Sequence, residues 1–272
     1  MVYALFSASV LLAIGAVYAG AVGWLYFRQE RLLFEPDPLA GDDPICTDCD
    51  TREFFVEVPG ARLSVAHMAL PNPRGVFFFL HGNSGNLKKW FVDLDAFRQA
   101  NFDVVMFDYR GFGKSTGQIE SEEQLHADVK AVWRHFEPMY EGKRVVISGQ
   151  SLGTGLAAGL AAQLCSDGHA PDLTLLVSPY SSMKALAAEL YPWVPMQVLR
   201  YPLHTLEHAA KLLGPVMLIH GEKDELIGIH HSEALAKSMR SAQLLRVDGA
   251  GHSDVHQFPT VRKALMSALG RL

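Results

Sequence analysis

A chain of 272 residues, 49% of them hydrophobic and 19% charged, is long enough to bury one full-sized core without requiring two domains. Its formal net charge of −5 at pH 7 offers no broad basic surface, so the composition argues against nucleic acid as a partner. One globular domain with an appendage is the simplest expectation.

The appendage is the N-terminal run from Val2 to Phe27, which has no charged side chain. At about 1.5 Å per residue, a helix of this length reaches roughly 39 Å and exceeds the hydrocarbon core of a bilayer. A cleavable signal peptide is the alternative, because Ala19-Gly20-Ala21 is a tolerable cleavage site, but the run is long for a signal peptide and no basic residue precedes it. We predict a transmembrane anchor over 1–30, followed by a linker over 31–52.

Charge around this run indicates its orientation. Arg28 and Arg31 follow the run and no basic residue precedes it, which favours a single-pass protein whose C-terminal domain is cytoplasmic. The aromatic residues Trp24, Tyr26 and Phe27 at its end are typical of the headgroup level of a membrane.

The cysteines indicate neither a metal nor a redox centre. Cys46 and Cys49 form one C-x-x-C pair, without the second pair of a typical zinc site and without a helix opening there. They are interpreted as ordinary linker thiols, with a local disulfide as the alternative if the domain is exported. Cys165 ends a small-residue helical stretch and is expected in the core.

The rest of the chain alternates strand and helix patterns. Predicted strands cover Glu53–Val58, Arg62–Met68, Gly75–Leu80, Phe102–Phe107, Arg144–Ser148, Leu173–Ser178, Pro215–His220 and Gln243–Val247. Predicted helices cover Leu87–Gln99, Ser121–Glu137, Leu152–Cys165, His230–Met239 and Phe258–Leu269. The alternation predicts an α/β domain over 53–272, with about eight strands in a mostly parallel sheet, helices on both faces and an antiparallel edge formed by the first two strands.

One segment departs from this alternation. Residues 180–213 carry aromatic residues, prolines and short apolar clusters where a single crossover helix would be expected. We predict a small cap over the carboxyl edge of the sheet, which is the edge where open α/β sheets bind ligands.

The stretch Gly149-Gln150-Ser151-Leu152-Gly153 matches G-x-S-x-G, the nucleophile-elbow motif. An apolar strand leads into it and a helix rich in Ala and Gly leads out, which is the context the motif requires. A structural Gly-rich turn is the alternative. Ser151 is the predicted nucleophile.

A serine hydroxyl needs a base and an acid that orients the base, and on a sheet of this type they follow in the order Ser, Asp or Glu, His. Asp224 and His252 lie in loops that follow the seventh and eighth predicted strands. Glu222 or Glu225 could replace the acid, and His256 could replace the base, although His256 is expected to open the final helix.

An acyl-transfer site also needs two donors for the oxyanion. The N–H of Leu152, directly after the nucleophile, is one candidate, and the N–H of Asn83, in the loop after the third strand, is the other.

Metal and nucleotide sites are not predicted. The other histidines have no spacing such as H-E-x-x-H, so neither a metal nor any other cofactor is expected. Gly113-Lys114-Ser115 resembles the end of a phosphate-binding loop, but the glycine required five residues before Gly113 is Asp108. Asp108 and Arg110 are expected to hydrogen-bond neighbouring loops.

Together these motifs resemble the α/β-hydrolase family, and more narrowly its membrane-associated bud-emergence-type branch, which includes animal protein depalmitoylases and lysophospholipid lipases. The motifs are LHGNSGN, DYRGFGKSTG, GQSLGTG, SPY, IHGEKDELI and GAGHSD, spread over Gly75–Asp254. By this resemblance Ser151, Asp224 and His252 match the catalytic triad, and Asn83 with Leu152 match the oxyanion hole.

The expected function is a membrane-anchored serine hydrolase of carboxylic esters or thioesters, acting on small or lipid-like acyl substrates. The cap is expected to line the acyl site with Leu190, Tyr191, Trp193, Val194, Met196 and Leu199, although these residues could instead pack the cap on the sheet. A serine peptidase of the same fold is the alternative, in which Glu189 or Glu207 would bind the amino group of the substrate. A non-catalytic membrane adaptor is a further alternative, and the sequence leaves the oligomeric state open.

Overall fold

The computed structural model describes residues 2–48 and 50–272, so Cys49 and its pairing with Cys46 lie outside the described residues. In chain order the elements are α1 (Val2–Leu33), β1 (Glu35–Pro36), β2 (Thr51–Val58), β3 (Ala61–Met68), β4 (Gly75–Leu80), β5 (Ser84–Gly85), α2 (Leu87–Trp90), α3 (Asp95–Ala100), β6 (Phe102–Phe107), α4 (Glu122–Phe136), β7 (Arg144–Gln150), α5 (Leu152–Ser166), β8 (Leu173–Val177), α6 (Met183–Leu190), α7 (Thr205–Ala209), β9 (Val216–Gly221), α8 (His230–Ser238), β10 (Ala242–Val247) and α9 (Pro259–Arg271). Short 3-10 turns cover Glu137–Tyr140, Met196–Val198 and Val255–Gln257.

Eight strands form the central sheet in the order β10-β9-β8-β7-β4-β6-β3-β2. All neighbours from β10 to β6 are parallel, whereas β3 runs antiparallel to β6 and to β2. Helices separate the parallel strands because a parallel connection needs a long crossover. This is the predicted fold class, and the expected antiparallel edge is confirmed.

Alternation along each strand divides the core between the two faces of the sheet. On β4, Val76 and Phe78 pack in one cluster with the inner faces of α4 and α5, while Phe77 packs in the other with α3. α5 is buried along nearly its whole length, and its small residues let it lie close to the sheet. This close packing fixes the position of its first residue, at the carboxyl end of β7.

The predicted helix over Leu87–Gln99 is two helices in the structure. Asn86 caps α2 by accepting a hydrogen bond from the Lys88 N–H at 3.0 Å, and the chain then turns before α3 begins at Asp95. Asp93 has a φ of +55°, a left-handed conformation that Asp tolerates in turns but that interrupts a helix. Apolar periodicity alone did not detect this break.

The predicted cap consists of α6, the 3-10 turn Met196–Val198 and α7. α7 packs on α5 and on α8, so this end of the cap rests on the core of the domain. Leu186 is the buried residue of α6, and the residues from Ala188 to Trp193 that follow it are exposed.

The N-terminal helix includes one segment, Ser9–Leu33, that is long and apolar enough to cross a membrane. Its last turns contact the cap through polar side chains. The buried Gln29 donates to Val198 O at 2.6 Å and accepts from the Arg200 N–H at 2.8 Å, and Glu30 accepts from the Tyr201 hydroxyl at 2.8 Å. The segment predicted as a linker therefore follows a helix that is already hydrogen-bonded to the domain.

Candidate active site

Ser151 lies at a sharp turn between β7 and α5. Its φ of +51° and ψ of −120° are unusual for a residue with a side chain, and such a conformation costs on the order of 1–3 kcal/mol. Hydrogen bonds from the Ser151 N–H to Val177 O (2.9 Å) and from the Thr154 hydroxyl to Ser151 O (2.6 Å) hold the turn. The turn directs the serine away from the helix that follows it.

Steric constraints require glycine at both positions that flank the turn, Gly149 and Gly153. A Cβ on Gly149 would lie 2.3 Å from Gly153 O, and a Cβ on Gly153 would lie 2.0 Å from Leu80 O. Any side chain at either position would separate β7 from α5 or α5 from β4. The G-x-S-x-G spacing thus has a packing reason in this chain.

Three side chains that are distant in the sequence meet at this turn. His252 Nε2 lies 3.0 Å from Ser151 Oγ, and His252 Nδ1 lies 2.8 Å from Asp224 Oδ2. Because a carboxylate can only accept, Nδ1 donates to Asp224, which leaves the Nε2 lone pair facing the serine hydroxyl. This is the tautomer that a general base needs.

Three N–H groups donate to the carboxylate of Asp224, whose side chain is fully buried, and the imidazole of His220 lies beside it. Oδ1 accepts from the N–H groups of Leu226 (3.0 Å) and Ile227 (2.8 Å), and His220 Nε2 lies 3.4 Å from Oδ2, beside the bond from His252. Burial would raise the pKa of Asp224, but the hydrogen bonds from His220, His252 and the Ile227 N–H outweigh it and hold that pKa well below its ordinary value. Asp224 therefore stays ionised beside the imidazole.

The alternative acids and base make other contacts. The Glu222 carboxylate lies 3.9 Å from Arg246, and Glu225 is exposed. His256 lies in the 3-10 turn before α9 rather than opening that helix. The structure therefore brings Asp224 and His252 to Ser151, and not these neighbours.

The predicted oxyanion donors belong to two loops that approach the serine. Leu152 begins α5 directly after Ser151. Gly82, next to Asn83, approaches Ser151 so closely that a Cβ built on it would lie 3.7 Å from the serine Cβ. The loop that carries Asn83 is therefore adjacent to the serine.

A short strand from the end of the N-terminal helix holds this loop in place. β1 pairs in parallel with β5, the Glu35 N–H donates to Asn83 O at 2.8 Å, and the Asp37 N–H donates to Gly85 O at 3.1 Å. Asn86 adds a hydrogen bond from its amide to Asp37 O at 2.9 Å. The backbone between α1 and the globular domain is thus paired with the loop that carries Asn83.

Beneath the same loop lies a buried acid and imidazole pair. His81 Nδ1 donates to Gly82 O at 2.7 Å, and its Nε2 lies 3.6 Å from Asp108 Oδ1. Burial lowers the pKa of His81 to about 4, although the bond to Gly82 opposes the shift. Burial also raises the pKa of Asp108 to about 7, against the nearby Leu87 N–H and Lys114 ammonium. Between about pH 4 and pH 7 these shifts favour a protonated Asp108 facing a neutral His81.

Arg110 and Asp108 differ in their contacts. Arg110 makes the expected bonds to neighbouring segments, pairing with the buried Asp128 at 2.6 and 2.9 Å and donating to Pro59 O at 2.9 Å. The side-chain oxygens of Asp108 make no hydrogen bond with the described part of the chain.

The proposed substrate-contact residues lie on the surface of the cap. Leu190, Tyr191 and Trp193 are about half exposed, whereas Met196, Val194 and Leu199 are partly buried. The Tyr18 hydroxyl of α1 donates to Trp193 O at 3.1 Å, so this part of the cap lies beside the N-terminal helix. Within the described part of the chain, no hydrogen bond joins these six residues to Ser151.

Sequence reasoning missed two residues that position the site. His220 is buried beside Asp224, donates to Ile227 O at 2.8 Å and accepts from the Ser232 hydroxyl at 2.6 Å. The Tyr180 hydroxyl donates to Leu152 O at 2.9 Å. Both belong to motifs noted in the sequence, IHG and SPY. Their positions next to Asp224 and Leu152 are evident only in the folded structure.

Comparison with known proteins identifies the family. The family profile described as Serine aminopeptidase, S33, matches residues 71–201. Protein Rv2307c of Mycobacterium tuberculosis is 30% identical over 258 residues, which cover 90% of this chain and 88% of that protein. The chain belongs to the α/β-hydrolase family.

A human relative and a solved esterase structure extend the comparison. Alpha/beta hydrolase domain-containing protein 17B of Homo sapiens is 31% identical over 194 residues, covering 69% of this chain and 64% of that protein. A solved esterase of Pyrococcus furiosus superposes with a TM-score of 0.66 at 17% identity, covering 88% of this chain and 97% of that one. The predicted family is confirmed, and the esterase shares the fold.

Proposed function

We propose that the protein is a membrane-anchored serine hydrolase that cleaves carboxylic esters or thioesters through an acyl-enzyme. The observation that carries the proposal is the position of His252, 3.0 Å from the Ser151 hydroxyl and 2.8 Å from the Asp224 carboxylate. A hydroxyl, an imidazole and a buried carboxylate in this order are the machinery of acyl transfer.

In the proposed mechanism Ser151 Oγ attacks the acyl carbonyl while its proton moves to His252 Nε2. Asp224 stabilises the imidazolium, and the N–H groups of Asn83 and Leu152 stabilise the oxyanion. The imidazolium then gives its proton to the leaving alcohol or thiol. Water, deprotonated by the same imidazole, attacks the acyl-enzyme and releases the acid.

A lipid-like acyl chain is the proposed substrate group. The support is the exposed apolar surface formed by Leu190, Tyr191 and Trp193 of the cap, which lies beside the apolar helix α1. Exposed apolar surface of this kind is unfavourable in water and suits contact with lipid or with an acyl chain. The esterase that shares the fold is consistent with carboxylic ester chemistry.

Membrane attachment through α1 belongs to the same proposal. Its support is the apolar segment Ser9–Leu33, and Arg28 and Arg31 at the end of the apolar run favour a cytoplasmic catalytic domain. The contacts of Gln29 and Glu30 with the cap would hold the cap close to the membrane surface.

A serine peptidase is the second candidate, favoured by the description of the matching family profile. An aminopeptidase would need an acidic side chain that is free to bind the amino group of its substrate. Glu189 lies 3.1 Å from His230 and Glu207 lies 3.1 Å from His204, so both carboxylates already have partners. This disfavours the peptidase, and the presence of all three triad side chains disfavours an adaptor.

The test is substrate turnover by the detergent-solubilised full chain. p-Nitrophenyl esters of graded acyl length and an acyl thioester are compared with aminoacyl p-nitroanilides. Ester or thioester turnover that increases with acyl length, and that is lost in Ser151→Ala, supports the proposal. Turnover of the aminoacyl substrates alone would make the protein a peptidase.

A further inference from the structure

Two histidines and a glutamate meet at the edge of the cap, away from the triad. Glu189, near the end of α6, faces His230 and His231, the first two residues of α8. Glu189 Oε1 lies 3.1 Å from His230 Nε2, and Glu189 Oε2 lies 3.3 Å from His231 Nε2. One ligand atom from each residue lies within 4.8 Å of the other two.

The separations suit a tetrahedral metal ion. Zinc binds imidazole nitrogen and carboxylate oxygen at about 2.0–2.2 Å, so two ligands of one tetrahedral ion stand about 3.3 Å apart. The two measured separations are close to that value, with one carboxylate oxygen facing each imidazole, at 3.1 Å from His230 Nε2 and 3.3 Å from His231 Nε2. Two imidazoles and one carboxylate are a ligand set that suits zinc better than magnesium or calcium.

His231 supplies an independent indication. It is only 2% exposed, and its Nε2, which faces Glu189, makes no hydrogen bond with the described part of the chain. Its other nitrogen, Nδ1, accepts a hydrogen bond from the Ser181 N–H at 3.3 Å and lies 2.9 Å from the Ser181 hydroxyl. Binding of zinc by Nε2 would therefore move the ring proton to Nδ1, where the Ser181 hydroxyl can accept it, as the second nitrogen of a zinc-bound histidine requires.

The position of His230 depends on a glycine. A Cβ built on Gly228 would lie 2.5 Å from Nδ1 and 2.6 Å from Cε1 of His230. The imidazole therefore occupies the space that a side chain at position 228 would fill. The rings of His230 and His231 lie next to each other, with their centroids 4.4 Å apart.

We propose that Glu189, His230 and His231 bind one zinc ion, with water at the fourth position, and that this ion fastens the cap helix α6 to the core helix α8. The sequence could not indicate this site, because Glu189 is distant from the His-His pair in the chain and no spaced metal motif is present. Leu190 and Tyr191 directly follow Glu189, so the ion would also fix the start of the exposed cap segment.

The experiment measures zinc binding by the full chain in detergent, without a polyhistidine tag. Zinc content after equilibrium dialysis gives stoichiometry and affinity, and Co²⁺ substitution reports tetrahedral geometry through its visible absorption. The expected result is one zinc per chain, with binding weakened at least about tenfold in His230→Ala, Glu189→Gln and Gly228→Ala. Mg²⁺ at the same concentration is expected not to compete.

Matched controls separate this site from others. His204→Ala removes a histidine from a similar exposed pair, since His204 lies 3.1 Å from Glu207, and it should bind zinc as the wild type does. Gly270→Ala controls for the glycine substitution, because a Cβ there meets nothing within 4 Å. His252→Ala should also retain zinc, which separates this site from the triad.

A second readout follows the cap itself. Zinc is expected to slow proteolysis of the exposed segment 190–200 in the wild type and to raise its melting temperature, with neither effect in His230→Ala. The proposal is overturned if the wild type takes up no zinc at 100-fold molar excess, or if His230→Ala and Glu189→Gln bind it as tightly as the wild type does. The glutamate would then form ordinary ion pairs only.

Discussion

Asp224 sets the tautomer of the proposed base, and its surroundings make a sharp test possible. Its Oδ1 accepts two backbone N–H groups, so an asparagine at this position would keep its oxygen there and turn its amide NH₂ toward His252. The imidazole would then accept at Nδ1 and carry its proton on Nε2, facing Ser151. A base with a proton on the reacting nitrogen cannot take another.

We predict that Asp224→Asn keeps the fold but lowers kcat by about 10⁴-fold at neutral pH. Ester hydrolysis together with the near-ultraviolet circular dichroism of the folded variant checks this. A loss below about tenfold in a folded variant would contradict the assigned role of Asp224.

The buried pair Asp108 and His81 predicts a pH-dependent stability. Asp108 binds its proton more tightly when folded, with a pKa near 7 against 3.8, so its contribution to stability is full below about pH 4 and is lost as pH rises through about 7. His81 acts in the opposite direction. Its folded pKa of about 4 lies below 6.5, so its contribution is full above about pH 6.5 and is lost as pH falls through about 4.

We predict that Asp108→Asn removes the first of these contributions and keeps the second. The free energy of unfolding of the variant, minus that of the wild type, should therefore rise by about 1–3 kcal/mol between pH 4 and pH 8. Chemical denaturation of the detergent-solubilised chain over that pH range measures the difference. Asp42→Asn, at an exposed position, is the control, and an equal pH trend in Asp108→Asn and the wild type would argue against a buried, protonated Asp108.

Among the secondary-structure elements, β1 links the N-terminal helix to the loop of Asn83. Asp37→Pro deletes the N–H that donates to Gly85 O, while Asp37→Asn keeps it. Because the oxyanion donor acts in the transition state, we expect Asp37→Pro to lower kcat about tenfold with little change in KM. Steady-state kinetics of both variants measure kcat and KM for this comparison. Equal kcat in the two variants would mean that the pairing of β1 with β5 does not affect the reaction.

The sequence predicted the elements that apolar periodicity determines. All eight strands of the central sheet coincide with predicted ones to within two residues at each end, because the buried inner strands are nearly continuously apolar and the edge strands keep apolar residues on one face. β1 and β5 were missed, since two-residue strands held by backbone bonds leave no side-chain pattern. The break after α2 was missed for a similar reason, because it depends on the backbone of Asp93.

The same distinction holds for the site. Ser151, Asp224 and His252 could be named because a strained turn and strand-end loops constrain the residue types there. His220, which lies 3.4 Å from Asp224, could not be named, since a buried histidine in a strand has no distinguishing neighbours in the sequence. Likewise, the Glu189 cluster exists only once α6 and α8 are folded together.

At the scale of the whole molecule, an apolar helix precedes a hydrolase domain. Two arginines within the apolar run, in Leu12→Arg and Ala16→Arg combined, would each cost about 2.5–3.5 kcal/mol in a bilayer. We predict that the wild type stays in the membrane fraction after alkaline carbonate extraction and that the double variant is released. Leu32→Arg, near the end of α1, is the control expected to stay. Release of the wild type would contradict a transmembrane anchor.

The central claim is that Ser151 becomes reactive toward an acyl carbon because His252 and Asp224 activate it. Labelling of the full chain in membranes with a fluorophosphonate, followed by peptide mass spectrometry, tests this most directly. We predict one adduct, on Ser151, that is absent in Ser151→Ala and forms far more slowly in His252→Ala. Equal labelling of the wild type and Ser151→Ala, or an adduct on another residue, would contradict it.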